Sequence, residues 1–162
     1  LTPVGDNFEW QWGQHSAKIL PDADGDPNTT DILLFDNGQA RSFTQANSVK
    51  PEDNYSRAVI YRINETDRTV EQLWQYGKEL GSSAYSTFLG NAELLPQTGN
   101  INIDFGGMLR KDGIPVDDIV SGVIGQQEIQ SRVTEVKSNG EITFDISITP
   151  HHSSDAETYQ VH

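Results

Sequence analysis

The sequence predicts an all-β fold made of two four-stranded antiparallel blades in tandem, as in part of a β-propeller. An internal repeat is the first observation behind this. His15-Ser16-Ala17-Lys18-Ile19-Leu20-Pro21 aligns with Gly90-Asn91-Ala92-Glu93-Leu94-Leu95-Pro96, and each segment is followed by an apolar stretch ending in glycine, 31–38 and 100–107. The likeness then continues from 56–63 to 131–137 and from 68–76 to 141–148. Strand-like alternation is the second: Val59, Tyr61 and Ile63 alternate with Ile60, Arg62 and Asn64, and Ile142, Phe144, Ile146 and Ile148 alternate with Thr143, Asp145, Ser147 and Thr149. The third is that no segment keeps a helical period over about 11 residues, although 116–135 has room for a helical turn.

A four-strand meander repeated in tandem is the signature of a propeller blade, whose compact form takes about 40 to 45 residues. The extra length falls in loops. Residues 21–30 widen the first hairpin, 39–55 lengthen the second connection, and 108–128 lengthen its counterpart in the second copy. These boundaries give a first blade at 1–82, a second at 83–150 and a polar tail at 151–162. Closed propellers hold about 4 to 8 blades, so two alone would leave apolar faces and strand edges uncovered. The chain therefore reads as a piece of a larger propeller, with an eight-stranded β-sandwich as the alternative.

Composition narrows the partners. The 162 residues carry 11 Lys and Arg against 24 Asp and Glu, a formal net charge of -13. The basic residues form no run that could neutralise a phosphate backbone, and the charge opposes anionic membranes. No apolar stretch approaches the roughly 20 residues of a membrane helix. Absence of cysteine removes disulfides, thiolate nucleophiles and cysteine-based zinc sites. The chain opens at Leu1 without an initiator Met, as a processed product or a piece of something longer would.

His15 is the first candidate for chemistry, because His151, His152 and His162 fall in the tail. A neutral imidazole on a rigid strand can act as nucleophile or general base without a metal. The first strand of a blade lines the central channel, and the counterpart of His15 in the second copy is Gly90, so the scaffold does not demand an imidazole there. A structural histidine hydrogen-bonded beside tryptophan is the competing reading. Trp10, Trp12 and Trp74 read as packing residues that could also stack on an aryl group. Asp22, Asp24 and Asp26 have the alternate spacing of calcium ligands, but Pro27 and Leu33 stand where such a loop needs glycine and glutamate. They read as a solvated hairpin loop, with a calcium-stabilised, non-catalytic binding module as the alternative function.

The combination Trp12-Gly13-Gln14-His15, Leu33-Leu34-Phe35-Asp36-Asn37-Gly38, Tyr55-Ser56-Arg57 and Val70-Glu71-Gln72-Leu73-Trp74-Gln75-Tyr76-Gly77 resembles the C-terminal part of bacterial arylsulfate sulfotransferases. The likeness covers most of 8–107; beyond Met108 only the strand pattern matches. The resemblance implies a six-bladed propeller preceded by a small β-sandwich domain, a periplasmic address and a homodimer. It also implies transfer of a sulfuryl group from a phenolic sulfate donor to a phenol acceptor, with no cofactor or metal. On this likeness His15 is the transiently sulfurylated nucleophile, and Thr87 or Ser86 is the hydroxyl facing substrate. The remaining blades would lie upstream and supply further histidines and an arginine for the sulfuryl oxygens. Within this chain, Arg57 and Arg41 are the cations nearest in sequence that could make the site locally basic.

Overall fold

The computed structural model describes residues 1–117 and 127–149, and within them the protein is all-β. Its strands are β1 (Thr2–Val4), β2 (Gln14–Ile19), β3 (Thr29–Asp36), β4 (Arg57–Asn64), β5 (Thr69–Tyr76), β6 (Asn91–Leu94), β7 (Ile101–Lys111), β8 (Ile114–Pro115), β9 (Glu128–Val136) and β10 (Ile142–Ile148). They form two sheets, β1-β5-β4-β3-β2 and β10-β9-β7-β6, with β8 folding back on β7. All pairs are antiparallel except β1 with β5, which is parallel. Short 3-10 turns at Lys78–Ala84 connect one sheet to the next.

Period-2 alternation sends alternate residues of β3 and β4 to opposite faces. Leu33, Phe35 and Ala58 pack against Ala92, Ile101, Ile103, Phe105 and Val136 of the second sheet. The Phe35 and Phe105 rings meet edge to face with centroids 5.5 Å apart. Leu34, Val59, Tyr61 and Val70 form a second cluster on the other face of the first sheet, with Phe8 and Ile63 over it.

The pairing registers relate the two sheets as copies. Leu20 N–H donates to Asp31 O at 2.9 Å and Leu95 N–H to Asn100 O at 2.8 Å, closing both first hairpins at aligned positions. Ile32 pairs with Tyr61 as Ile101 pairs with Val136. Ile101 and Val136 face the first sheet, whereas Tyr61 belongs to the cluster on the face turned away from the second. Equivalent positions thus look the same way, and the sheets stack head to tail rather than back to back.

Four features depart from the sequence reading. β1 adds a fifth, parallel strand to the first sheet, held where Thr2 N–H donates to Arg68 O at 2.8 Å. Residues 108–111 continue β7 and turn into β8 instead of looping. The fourth strands align differently, since Ile142 pairs with Val136 where Gln72 pairs with Tyr61. The reason is hairpin length: β4 and β5 run on through the Asn64–Thr69 pair, while the second hairpin closes early at Gly140 N–H to Lys137 O. Both hairpins nonetheless bulge at the same level, after Ile60 and after Ile142. Lastly, β2 bulges after His15, so the residue at its level in β6 is Asn91 rather than Gly90. Of 116–135, where the sequence leaves room for a helical turn, 128–135 belong to β9, while 118–126 and the tail at 151–162 lie outside the described residues.

A buried ionic cluster anchors the first sheet. Asp36 and Arg57 are both fully buried, with Arg57 Nε 3.0 Å from Asp36 Oδ2. Asp36 Oδ1 accepts from Trp12 N–H at 2.7 Å and Gly38 N–H at 3.0 Å. The rest of the Arg57 guanidinium donates to Glu9 Oε2, Glu9 O, Gln72 Oε1 and Tyr61 Oη. Tyr55 Oη and Lys78 Nζ also hold the Glu9 carboxylate. Burial would raise the Glu9 carboxyl, but the hydrogen bonds from Lys78 and Tyr55 and the charge of Arg57 hold it below its ordinary value. Burial also pushes the phenols of Tyr55 and Tyr61 up to about 12, so both stay neutral donors.

Removing one side of a buried ion pair strands the other charge. Arg57→Leu is therefore expected to cost about 3 to 5 kcal/mol of stability in urea unfolding of the full-length protein. A loss within experimental error would refute that role. The depressed carboxyl of Glu9 contributes stability above its ordinary value of 4.5, and the contribution is lost as pH falls below it. The stability gap between wild type and Glu9→Gln should accordingly narrow on acidification below pH 4.5, read from paired denaturation curves.

Candidate active site

His15 lies on β2, an edge strand of the first sheet, which among the described residues pairs with β3 alone. Its level in the ladder is opposite Phe35, and directly after it Ser16 adopts a left-handed φ of 53°. A non-glycine residue there is strained, and a bulge at this point re-aims the side chain before it. Ser16 Oγ donates to Gly90 O at 3.2 Å, tying the bulge to the second sheet.

The imidazole is hydrogen-bonded, among the described residues, to the side chain of Asn37. His15 Nδ1 lies 2.5 Å from Asn37 Oδ1. Asn37 is fully buried, and its Nδ2 donates to Ser86 O at 2.8 Å and Leu89 O at 2.7 Å. It directly follows Asp36, so strand geometry sends the Asp36 carboxylate to the Arg57 side and the Asn37 amide to the His15 side. The backbone of Asn37 is held too, its carbonyl accepting from Ser56 Oγ at 2.7 Å.

The structure brings Ser86 to this group through its carbonyl. Its hydroxyl, fully buried, donates to Phe88 O at 3.1 Å and accepts from Gly107 N–H at 2.9 Å. Thr87 is buried beside it, with Oγ1 donating to Val116 O at 3.0 Å and its carbonyl accepting from Gln39 Nε2 at 3.0 Å. Both hydroxyls are thus engaged by main-chain groups, that of Ser86 by Phe88 and β7 and that of Thr87 by the segment after β8.

Arg57 and Arg41 do not surround the imidazole. Arg57 is spent on Asp36 and Glu9. Arg41 reaches Asp36 Oδ2 at 3.4 Å, donates to Asn54 Oδ1 and Tyr55 O, and stacks over the Tyr55 ring at 3.6 Å. Nor is Gly90 a free position. A Cβ there would lie 2.3 Å from the Phe35 ring and its φ is +133°, so glycine is required by packing and backbone alike. The contrast between His15 and Gly90 therefore reflects a constraint on the glycine rather than freedom at the histidine.

The aspartate loop is occupied by its own chain. Asp22 and Asp24 accept from loop backbone N–H groups, Asp24 pairs with Arg62 at 2.7 Å, and Asp31 holds the same guanidinium. Among the described residues no group of three or more His, Cys, Asp or Glu is arranged to hold a metal ion. Trp74 is packed against the core with Nε1 donating to Ser138 O at 3.0 Å; Trp10 stacks edge to face on Phe8, and Trp12 on exposed Phe43. His151 and His152 lie outside the described residues.

Among the described residues, cavities open on the first sheet that His15 does not line. One of about 520 Å3 is bounded by Asp6, Phe8, Glu9, Gln72, Trp74 and Lys78. An apolar groove of about 210 Å3 is bounded by Trp10, Ile32, Leu34, Tyr61 and Val70. Asn37 is a functional residue that the sequence pattern does not single out, although it lies within the Asp36-Asn37-Gly38 run. The available signal was the placement of an amide, at a strand end, beside an aspartate that strand period sends the other way.

Comparison with known proteins bears on what this arrangement does. An arylsulfate sulfotransferase of Escherichia coli O6:H1, AssT, is 31% identical over 140 residues, 86% of this chain and 21% of that protein. Its namesake from Lelliottia amnigena is 40% identical over 80 residues, 49% of this chain and 12% of that protein. The chain thus spans about a fifth or less of the length of these relatives. The family model described as arylsulfotransferase (ASST) matches residues 1–160. With the match running nearly end to end, the chain belongs to the arylsulfotransferase family.

Proposed function

We propose that this chain is the C-terminal part of an aryl sulfotransferase propeller in which His15 is the covalent nucleophile. The observation that carries the reading is the imidazole held by a buried amide on an open strand edge, in a member of this family. One ring nitrogen attacks sulfur of a phenolic sulfate ester. The N–S bond forms as the S–O bond to the aryl group breaks, and the electron pair departs with the phenolate. An acceptor phenolate then attacks sulfur, the S–N bond breaks, and the imidazole returns, giving ping-pong kinetics. By analogy with phosphoryl transfer, negative charge collects on the equatorial and leaving oxygens, so rate depends on positioning and on cations around the sulfuryl group.

Those cations come from outside this chain, because Arg57 and Arg41 are committed to Asp36. Head-to-tail stacking supports further copies of the same unit on the apolar groove of the first sheet, which is where the preceding blade would pack. Ser86 contributes through its carbonyl, and Thr87 through the loop it stabilises.

Full-length protein quenched during turnover of 4-nitrophenyl sulfate should carry a sulfuryl adduct on the peptide containing His15, detected by mass spectrometry. His15→Ala should lower kcat/KM by about 10³-fold or more. An unlabelled peptide together with unchanged turnover in the variant would end the assignment.

A further inference from the structure

The amide of Asn37 leaves the neutral ring of His15 a single tautomer. Its Nδ2 faces the carbonyl oxygens of Ser86 and Leu89 at 2.8 and 2.7 Å. Carbonyls only accept, so both N–H bonds of the amide are spent there; turned over, the amide would set its oxygen against two others. Oδ1 is therefore the atom presented to the ring at 2.5 Å. An amide oxygen accepts and cannot donate, so Nδ1 carries the hydrogen and the lone pair of the neutral ring lies on Nε2.

We propose that Asn37 is a positioning residue that locks His15 in the Nδ1–H tautomer, leaving Nε2 as the one nucleophilic nitrogen through both half-reactions. This deepens the transfer reading and rests on it for the word nucleophile; the tautomer stands on geometry alone. When Nε2 bonds to sulfur and the phenolate leaves, the ring becomes a cation that keeps its Nδ1 hydrogen. The amide accepts that hydrogen bond without taking the proton. Departure of the sulfuryl group to the acceptor phenolate then restores the same tautomer.

An amide supplies direction without charge, and the alternative shows why that matters. A carboxylate at position 37 would orient the ring equally well, but it would favour the resting imidazolium, which has no lone pair to attack with. It would also stabilise the cationic intermediate and make it a poorer sulfuryl donor. The ionised groups on the strands packed against His15 are paired among themselves. Asp36 of β3 is held by Arg57 and Arg41, and Lys18 of β2 meets Glu93 of β6 at 3.5 Å. No charge from these strands duplicates or cancels the role of the amide.

The test uses full-length protein labelled with 15N at histidine, with the His15 signals assigned by their loss in His15→Gln. Solid-state NMR should find Nδ1 protonated and Nε2 bare in the resting protein. Asn37→Leu should lower kcat by about 10² to 10⁴-fold with KM changed only a few-fold, and Asn37→Asp should move the acid limb of kcat/KM up by about one pH unit. A proton on Nε2, an even mixture of tautomers, or a folded Asn37→Leu with wild-type kcat would overturn the assignment. The resting spectrum is informative even if both variants misfold. Nδ1–H in a protein whose His15→Ala variant keeps full turnover would uphold the lock and sink the transfer reading, so the two failures are distinguishable.

Discussion

The pairing of Asp36 with Arg57 is the constraint on which the first sheet and its candidate chemistry depend. Both side chains are fully buried, and burying charge is tolerated only when the ions are paired and their remaining hydrogen-bond capacity is filled. Here it is filled from four directions: Trp12 and Gly38 backbone, Arg41, and through Arg57 the segment at Glu9 and Trp10. That segment leads directly into β2. The same ion pair that closes the interior of the sheet therefore fixes how the strand bearing His15 enters it.

Architecture was legible to the extent that it is written in local periodicity. Alternation in 59–64 and 142–149 and the repeated Ala-x-Leu/Ile-Leu-Pro ending gave the strands, their order and two sheets; a strand with one buried face must alternate, as β4 does, whereas the apolar residues of β10 are exposed within this chain. What escaped had no such signature. β1 is three residues long, too short to display a period, and its parallel pairing with β5 is a long-range event. The bulge after His15 was invisible because it hangs on a left-handed Ser16, a residue type with no strong preference for that conformation. The offset of the fourth strands followed from hairpin closure, which shifts register without changing the apolar pattern.

The site divided the same way. His15 stood out by residue type and by position on the first strand of a repeat. Its partner did not, because Asn37 reads as an ordinary turn residue before Gly38, and what distinguishes it is a pair of carbonyls some 50 positions away in the chain. Arg57 and Arg41 illustrate the converse error. Proximity in sequence nominated them for an anionic substrate, yet the carboxylate that claims them is one strand residue from the amide that serves the imidazole.

The run Asp36-Asn37-Gly38 thereby packs three incompatible demands into adjacent positions. The first must be an anion, the second a neutral amide, and the third must lack a side chain, since a Cβ at Gly38 would come 2.2 Å from Tyr55 O. Exchanging the first two would place a charge beside the ring and take from Arg57 and Arg41 the buried carboxylate they share. Three separate physical requirements thus meet within three consecutive residues, and a substitution at any one of them disturbs the ion pair, the imidazole contact or the turn.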